Sequence, residues 1–147
     1  MEKFETFTVL IAKISRAIRK IKTEAVAEFK LKGPHVSCLY YLYIKGPLTA
    51  KELTEISSED KAALSRSVEY LEKTGMIEVE HGDKKRYKTP LMLTEKGRDV
   101  AQRIAEKADG VVKETGKDIT EEERIIFYRC LSEICHNLEA IVDDCEN

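Results

Sequence analysis

Two short runs constrain this chain more than anything else in it: Leu71-Glu72-Lys73-Thr74-Gly75-Met76-Ile77 and Leu93-Thr94-Glu95-Lys96-Gly97. The first reads as a helix end, because a helical pattern runs into Gly75, which readily takes the left-handed turn that closes a helix. The second reads as a helix start, with Thr94 as its N-cap. Between them Ile77 and Val79, then Leu91 and Leu93, alternate as two strands on either side of the basic turn Asp83-Lys84-Lys85-Arg86. Upstream, Thr49 caps a short helix through Ile56, with Glu52 completing a capping box. A longer helix follows from Ser58 to Thr74, capped by Ser57 or Ser58, with Glu59 and Asp60 favourable in its first turn. A helix, a turn, a second helix and a basic hairpin make a winged helix-turn-helix. Its second helix suits a DNA major groove, and its hairpin tip suits the backbone or the minor groove.

The flanks are long helices. Phe4, Phe7, Ile11, Ile14, Ile18, Ile21 and Ala25 recur every three or four residues, giving one amphipathic helix over 4–29. Gly33-Pro34 breaks it and opens a helix over 35–45, with Val36, Leu39, Leu42 and Tyr43 inward. After the hairpin a helix over 95–114 carries Val100, Ile104 and Val111 on one stripe. Thr120 and Glu123 form a capping box that opens a last helix to about Asp144. Its stripe is Phe127, Leu131, Ile134, Cys135, Leu138, Ile141 and Val142. The first and last stripes are too extended for a small winged helix to cover, and a second copy of the chain is the simplest partner.

The expected fold is therefore mainly α with a small β-hairpin wing. A single domain spans 1–147, with the winged helix at 32–97 and dimerisation helices at 1–31 and 98–147. At 147 residues the chain is long enough for one well-formed core. With 42% hydrophobic and 35% charged residues it is globular rather than disordered. No apolar run approaches the roughly 20 residues a membrane span needs. Glu2, Lys3 and Glu5 do not begin a secretory signal, so the expected location is the cytoplasm and the cysteines are expected to be reduced.

The net charge of −2 looks poor for a DNA binder, but its distribution matters more. Residues 61–98 hold nine Lys and Arg against six Asp and Glu, whereas residues 120–147 hold two against eight. The acidity is thus concentrated in the last helix. Lys61, Ala62, Ser65 and Arg66 lie on the side of the second helix away from Leu64, Val68 and Leu71, and are the base-reading candidates. Arg66 has a structural alternative, pairing with Asp60, Glu69 or Glu72. Lys84, Lys85, Arg86 and Lys88 crowd four cations into five residues, which suits phosphate.

Here the chain resembles the MarR family of transcriptional regulators. The resemblance rests on Ala50-Lys51-Glu52-Leu53, Ala63-Leu64-Ser65-Arg66 and the two runs above, and element order extends it over the whole chain. It implies a homodimer, two winged helices reading a palindromic site in double-stranded DNA, and in many members a small phenolic or lipophilic effector. The wing departs from the family's Asp-x-Arg pattern, since Asp83 and Arg86 are one residue further apart. Pro90 also lacks a ladder donor. Either Arg86 or Lys85 then serves as the wing's contact residue. The expected function is a ligand-responsive repressor binding a pseudo-palindromic operator.

The effector candidates are Tyr40 and Tyr41, with Ser15 and Arg19 as anion partners on the first helix; for the tyrosines, core and dimer packing is the plainer reading. Two rivals to the repressor reading stand. One is a protein-interaction module or anti-repressor without DNA binding. The other is a redox-sensing regulator using Cys38 or an intersubunit cysteine pair. Cys135 is expected to be a buried core thiol. Cys130 and Cys135 are about 140° apart on a helix and would not pair within it. Scattered histidines make no metal site, and no cofactor is expected. No glycine-rich phosphate loop, His-Glu-x-x-His or nucleophile elbow suggests an enzyme.

Overall fold

The computed structural model describes residues 4–57, 59–79 and 88–146. The chain forms two compact units, Met1–Lys107 and Ala108–Asn147. The elements are α1 (Phe4–Ala25), α2 (Gly33–Lys45), α3 (Ala50–Ser57), α4 (Lys61–Lys73), β1 (Ile77–Val79), β2 (Leu91–Leu93), α5 (Glu95–Thr115) and α6 (Glu121–Glu146). The expected winged helix-turn-helix is present.

The single helix expected over 4–29 is not. It ends at Ala25, and a 3-10 turn occupies Ala27–Phe29. Burial of Val26 at 1% exposure draws the chain inward at that point. Lys30 follows in the left-handed region, at φ 56 and ψ 34. Helix α2 then starts with Pro34 in its first turn, where a missing N–H costs nothing.

In the first unit, α2, α3, α4 and the hairpin enclose one core. Leu39, Leu53 and Leu71 are fully buried, Leu64 nearly so, and Leu91, Val100 and Ala101 close it. Strands β1 and β2 pair antiparallel in the register Ile77–Leu93, Glu78–Met92, Val79–Leu91. Leu48 adds a bridge on the other edge, accepting from the Leu91 N–H at 2.8 Å. Pro90 stands just outside this register, so it costs no observed ladder bond.

The runs 71–77 and 93–97 clasp each other. Helix α4 closes in a Schellman turn: the Met76 N–H donates to the Leu71 carbonyl at 2.8 Å and the Gly75 N–H to the Glu72 carbonyl at 3.0 Å, with Gly75 at φ 72. The Thr94 hydroxyl donates to the Gly75 carbonyl at 2.6 Å and accepts from the Gly97 N–H at 3.0 Å. Lys96 Nζ donates to the Thr74 carbonyl at 2.8 Å. The end of α4 and the start of α5 are thereby fixed together.

In the second unit, the Thr120–Glu123 capping box forms as expected, the Glu123 carboxylate accepting from the Thr120 N–H at 2.8 Å. These bonds hold the Glu123 carboxyl below its usual pKa. Along α6, Phe127, Leu138, Ile141 and Val142 are each close to half exposed in the single chain. Cys135 is also exposed, which corrects the expectation of a buried thiol: the apolar stripe it belongs to faces solvent along α6. On α1 the same holds for Ile14 and Ile18.

Candidate nucleic-acid interface

Helix α4 starts at Lys61, and its cap is Asp60 rather than Ser57 or Ser58. The Asp60 carboxylate accepts from the Ala63 N–H at 2.8 Å. Ser57 is the last residue of α3, where its hydroxyl accepts from the Glu59 N–H at 3.4 Å, and Ser58 lies outside the described residues. Thr49 and Glu52 cap α3 as expected, with the Thr49 N–H donating to the Glu52 carboxylate at 2.7 Å. These bonds lower the Glu52 pKa.

Leu64, Ser67, Val68 and Leu71 pin α4 to the core. Lys61, Ala62, Ser65, Arg66 and Glu69 are exposed, as the sequence implied. At about 100° per residue they do not form a single spot. Ala62, Ser65, Arg66 and Glu69 cluster about the outward direction, whereas Lys61 lies about 140° round the helix from Arg66. Lys73 shares the outward face and is exposed, a candidate the sequence reading missed because it attended to the helix start. The pairing of Arg66 with Asp60, Glu69 or Glu72 is not observed. Among the described residues Arg66 has no ion pair.

The acidic residues at the start of α4 are engaged by the protein itself. Besides the Asp60 cap, the Glu59 carboxylate accepts from the Ser37 hydroxyl of α2 at 3.1 Å. These bonds fix where the two carboxylates sit and leave their charge in place; Glu69 is a third acid, exposed on the outward face. A second tether joins the same helices: the His35 ring stacks on Tyr70, centroids 4.4 Å apart and planes 4° from parallel.

Of the wing cluster, Lys84, Lys85 and Arg86 lie outside the described residues. Lys88 is exposed, immediately before the buried Thr89 and the start of β2.

The effector candidates are not gathered into one enclosed site. Tyr40 and Tyr41 are half-buried against the core and against each other, edge to face with centroids 5.6 Å apart. Ser15 and Arg19 are exposed on α1. An open depression there is lined by Arg16, Arg19, Lys20, Thr23 and Glu24, so it includes Arg19 but neither Ser15 nor the tyrosines. Cys38 is fully buried, and burial pushes its thiol up to about 12, which leaves almost no reactive thiolate at neutral pH. No group of three or more metal-ligating side chains occurs among the described residues, and none of their helices is long and apolar enough to cross a membrane.

Residues 29–86 match the model of the MarR family. No curated protein matches the chain. Among solved structures, it is similar to a MarR family regulator from Neisseria meningitidis at 22% identity and a TM-score of 0.83, covering 98% of this chain and 99% of that one. A Listeria monocytogenes protein assigned to the MarR family of transcriptional regulators, in complex with 26mer DNA, aligns at 22% identity and a TM-score of 0.82, over 94% and 90% of the two chains. Staphylococcus aureus MarR in complex with salicylate and kanamycin aligns at 15% identity and a TM-score of 0.80, over 92% of each. At these identities the likeness is one of fold.

Proposed function

We propose that this chain, a MarR-family winged-helix protein by its match over residues 29–86 and by its fold, is a transcriptional regulator that binds a pseudo-palindromic operator as a homodimer and represses by occupying it. The observation that carries the reading is the outward face of α4. It presents Ala62, Ser65 and Arg66 to solvent, with no ion pair to Arg66 among the described residues, while the neighbouring acids Glu59 and Asp60 are held by Ser37 and Ala63. Such a face can enter a major groove, where an arginine reads guanine and a small residue accommodates a thymine methyl. Lys84, Lys85, Arg86 and Lys88 supply cations for the flanking phosphates.

Dimerisation is supported by the apolar faces of α1 and α6, each exposed in the single chain, with Ile14 and Ile141 at 50% and 58%. Contiguous apolar surface of that kind marks an interaction site. Two copies would place two α4 helices on half-sites about one helical turn, roughly 10 bp, apart. The domain division follows from this: 32–97 for the winged helix, 1–31 and 98–147 for dimerisation, in a cytoplasmic, non-enzymatic protein. Support for a small phenolic effector comes from the salicylate-bound Staphylococcus aureus relative and from the half-buried Tyr40 and Tyr41. The effector would act only through a preference for one dimer state over another.

The test is a gel shift on the DNA upstream of the protein's own gene, across a salt series. Arg66→Ala is expected to lower affinity for the specific site by about 1–3 kcal/mol and leave nonspecific binding intact. Neutralising Lys85 and Arg86 together should weaken binding to every sequence and reduce the salt slope by about two. A protein that binds no DNA while folded and dimeric would instead support the interaction-module reading.

A further inference from the structure

The 3-10 turn between α1 and α2 is held from two sides. On one side, the Glu28 carboxylate accepts from Lys107 Nζ of α5 at 2.9 Å, and the Arg103 and Lys107 cations lie 5.8 and 5.9 Å from the centre of the Phe29 ring. On the other, the Tyr70 hydroxyl of α4 donates to the Lys30 carbonyl at 3.3 Å. Lys30 itself, the residue Tyr70 bonds, occupies a left-handed conformation that residues other than glycine rarely adopt. Such a conformation persists only where its surroundings enforce it. Tyr70 is also stacked on His35, whose Nδ1 accepts from the Lys32 N–H at 3.0 Å and so closes the start of α2. One aromatic side chain on α4 thus touches both the residue that caps the turn and the first turn of α2. A change in the angle at which α1 leaves this turn must move the Lys30 carbonyl, and with it the hydroxyl bonded to it.

We infer that Tyr70 is a positioning residue that ties the attitude of α4 to the elbow at Val26–Lys32. In a dimer built through α1, that elbow sets the separation of the two α4 helices, and Tyr70 transmits the setting. For its effect on DNA the inference rests on the proposed regulator. For the mechanical link it does not.

Two variants of the full-length protein separate the two. Tyr70→Phe keeps the ring that stacks on His35 and removes only the hydroxyl. Glu28→Gln weakens the elbow's hold on α5 and touches nothing on α4. By hydrogen exchange without DNA, Tyr70→Phe should speed exchange at the Phe29, Lys30 and Leu31 amides roughly three- to tenfold. Glu28→Gln should raise exchange at the same amides and also at Thr74, whose N–H donates to the Tyr70 carbonyl at 2.9 Å. In the Tyr70→Phe background, Glu28→Gln should no longer reach Thr74. An effect of Glu28→Gln confined to the elbow in the wild-type background would overturn the link. On operators with the natural half-site spacing or one base pair more, Tyr70→Phe should lose most of the wild type's preference while its salt slope stays the same. A variant that retains the full preference would overturn the positioning role. Failure of the wild type to bind any DNA would remove the regulator reading, and the exchange result would then decide the link alone.

Discussion

Replacing Gly97 by alanine puts two physical arguments in direct opposition. Gly97 lies in the first turn of α5, and by helix propensity alone alanine there should stabilise the protein by about 1 kcal/mol. The structure demands the reverse. A Cβ on Gly97 would overlap the Met76 carbonyl oxygen and stand 2.7 Å from its carbon, and both are backbone atoms that no rotamer change can move. The two chain segments would have to separate. That would break the bond from the Thr94 N–H to the Met76 carbonyl, 3.1 Å, and strain the Thr94 hydroxyl bond to Gly75 and the Lys96 bond to Thr74. Overpacking of this kind costs about 1–3 kcal/mol, and each lost hydrogen bond about 1 kcal/mol. After the propensity gain is deducted, Gly97→Ala is expected to destabilise by about 1–3 kcal/mol. For a chain of this size that lowers Tm by roughly 2–12 °C. The assay is thermal unfolding followed by circular dichroism, with a spectrum at low temperature to confirm the helical content. A Tm equal to or above the wild type would show that α5 and the turn after α4 are not in close contact, and the clasp between the two runs would be wrong.

If the chain is the proposed dimer, Ile14→Glu is expected to convert it to monomer, because it places a charge in the exposed apolar face of α1; sedimentation velocity showing the same dimer in both proteins would remove α1 from the interface. Cys38 should resist alkylation at pH 7–8 while the exposed Cys130 and Cys145 react, as read by mass spectrometry of the intact and digested protein; equal labelling of Cys38 would restore it as a redox candidate. His35 is held below its ordinary value of 6.5, first by burial and then by Lys32. The unfolded chain therefore binds the proton more readily, so the His35 contribution to stability is complete above 6.5 and is lost as the pH falls through the lower folded value. Between pH 7.5 and 5 the wild type should lose more Tm than His35→Gln, and parallel losses would show that the imidazole does not matter.

The elements that local chemistry specifies were legible in the sequence. Gly75 had to close a helix, Thr49, Thr94 and Thr120 had to open three others, and the alternation of Ile77, Val79, Leu91 and Leu93 marked the two strands. Each signal acts within four residues or between adjacent strands. What escaped the reading depends on contacts between distant segments. The apolar spacing from Phe4 runs smoothly past Ala25, so nothing local marks the bend that the buried Val26 and the Tyr70 hydroxyl impose. Ser57, Ser58 and Asp60 are all good caps, and local chemistry does not choose among them; in the structure the Ala63 N–H is held by Asp60. Cys135 was placed in a core because its stripe is apolar, yet periodicity does not say whether the covering surface belongs to the same chain. For the site, the outward face of α4 was readable from the inward positions of Leu64, Val68 and Leu71. The joint made by Ser37 with Glu59 and by His35 with Tyr70 was not, since it spans residues far apart in sequence.

In the proposed regulator, two copies of the α4 face read DNA together. Hydroxyl-radical footprinting of the protein on its own upstream DNA tests it most directly. Two protected half-sites are expected on one face of the duplex, about 10 bp apart from centre to centre, both lost together in Arg66→Ala. A single protected site, or uniform weak protection that Arg66→Ala leaves unchanged, would contradict it.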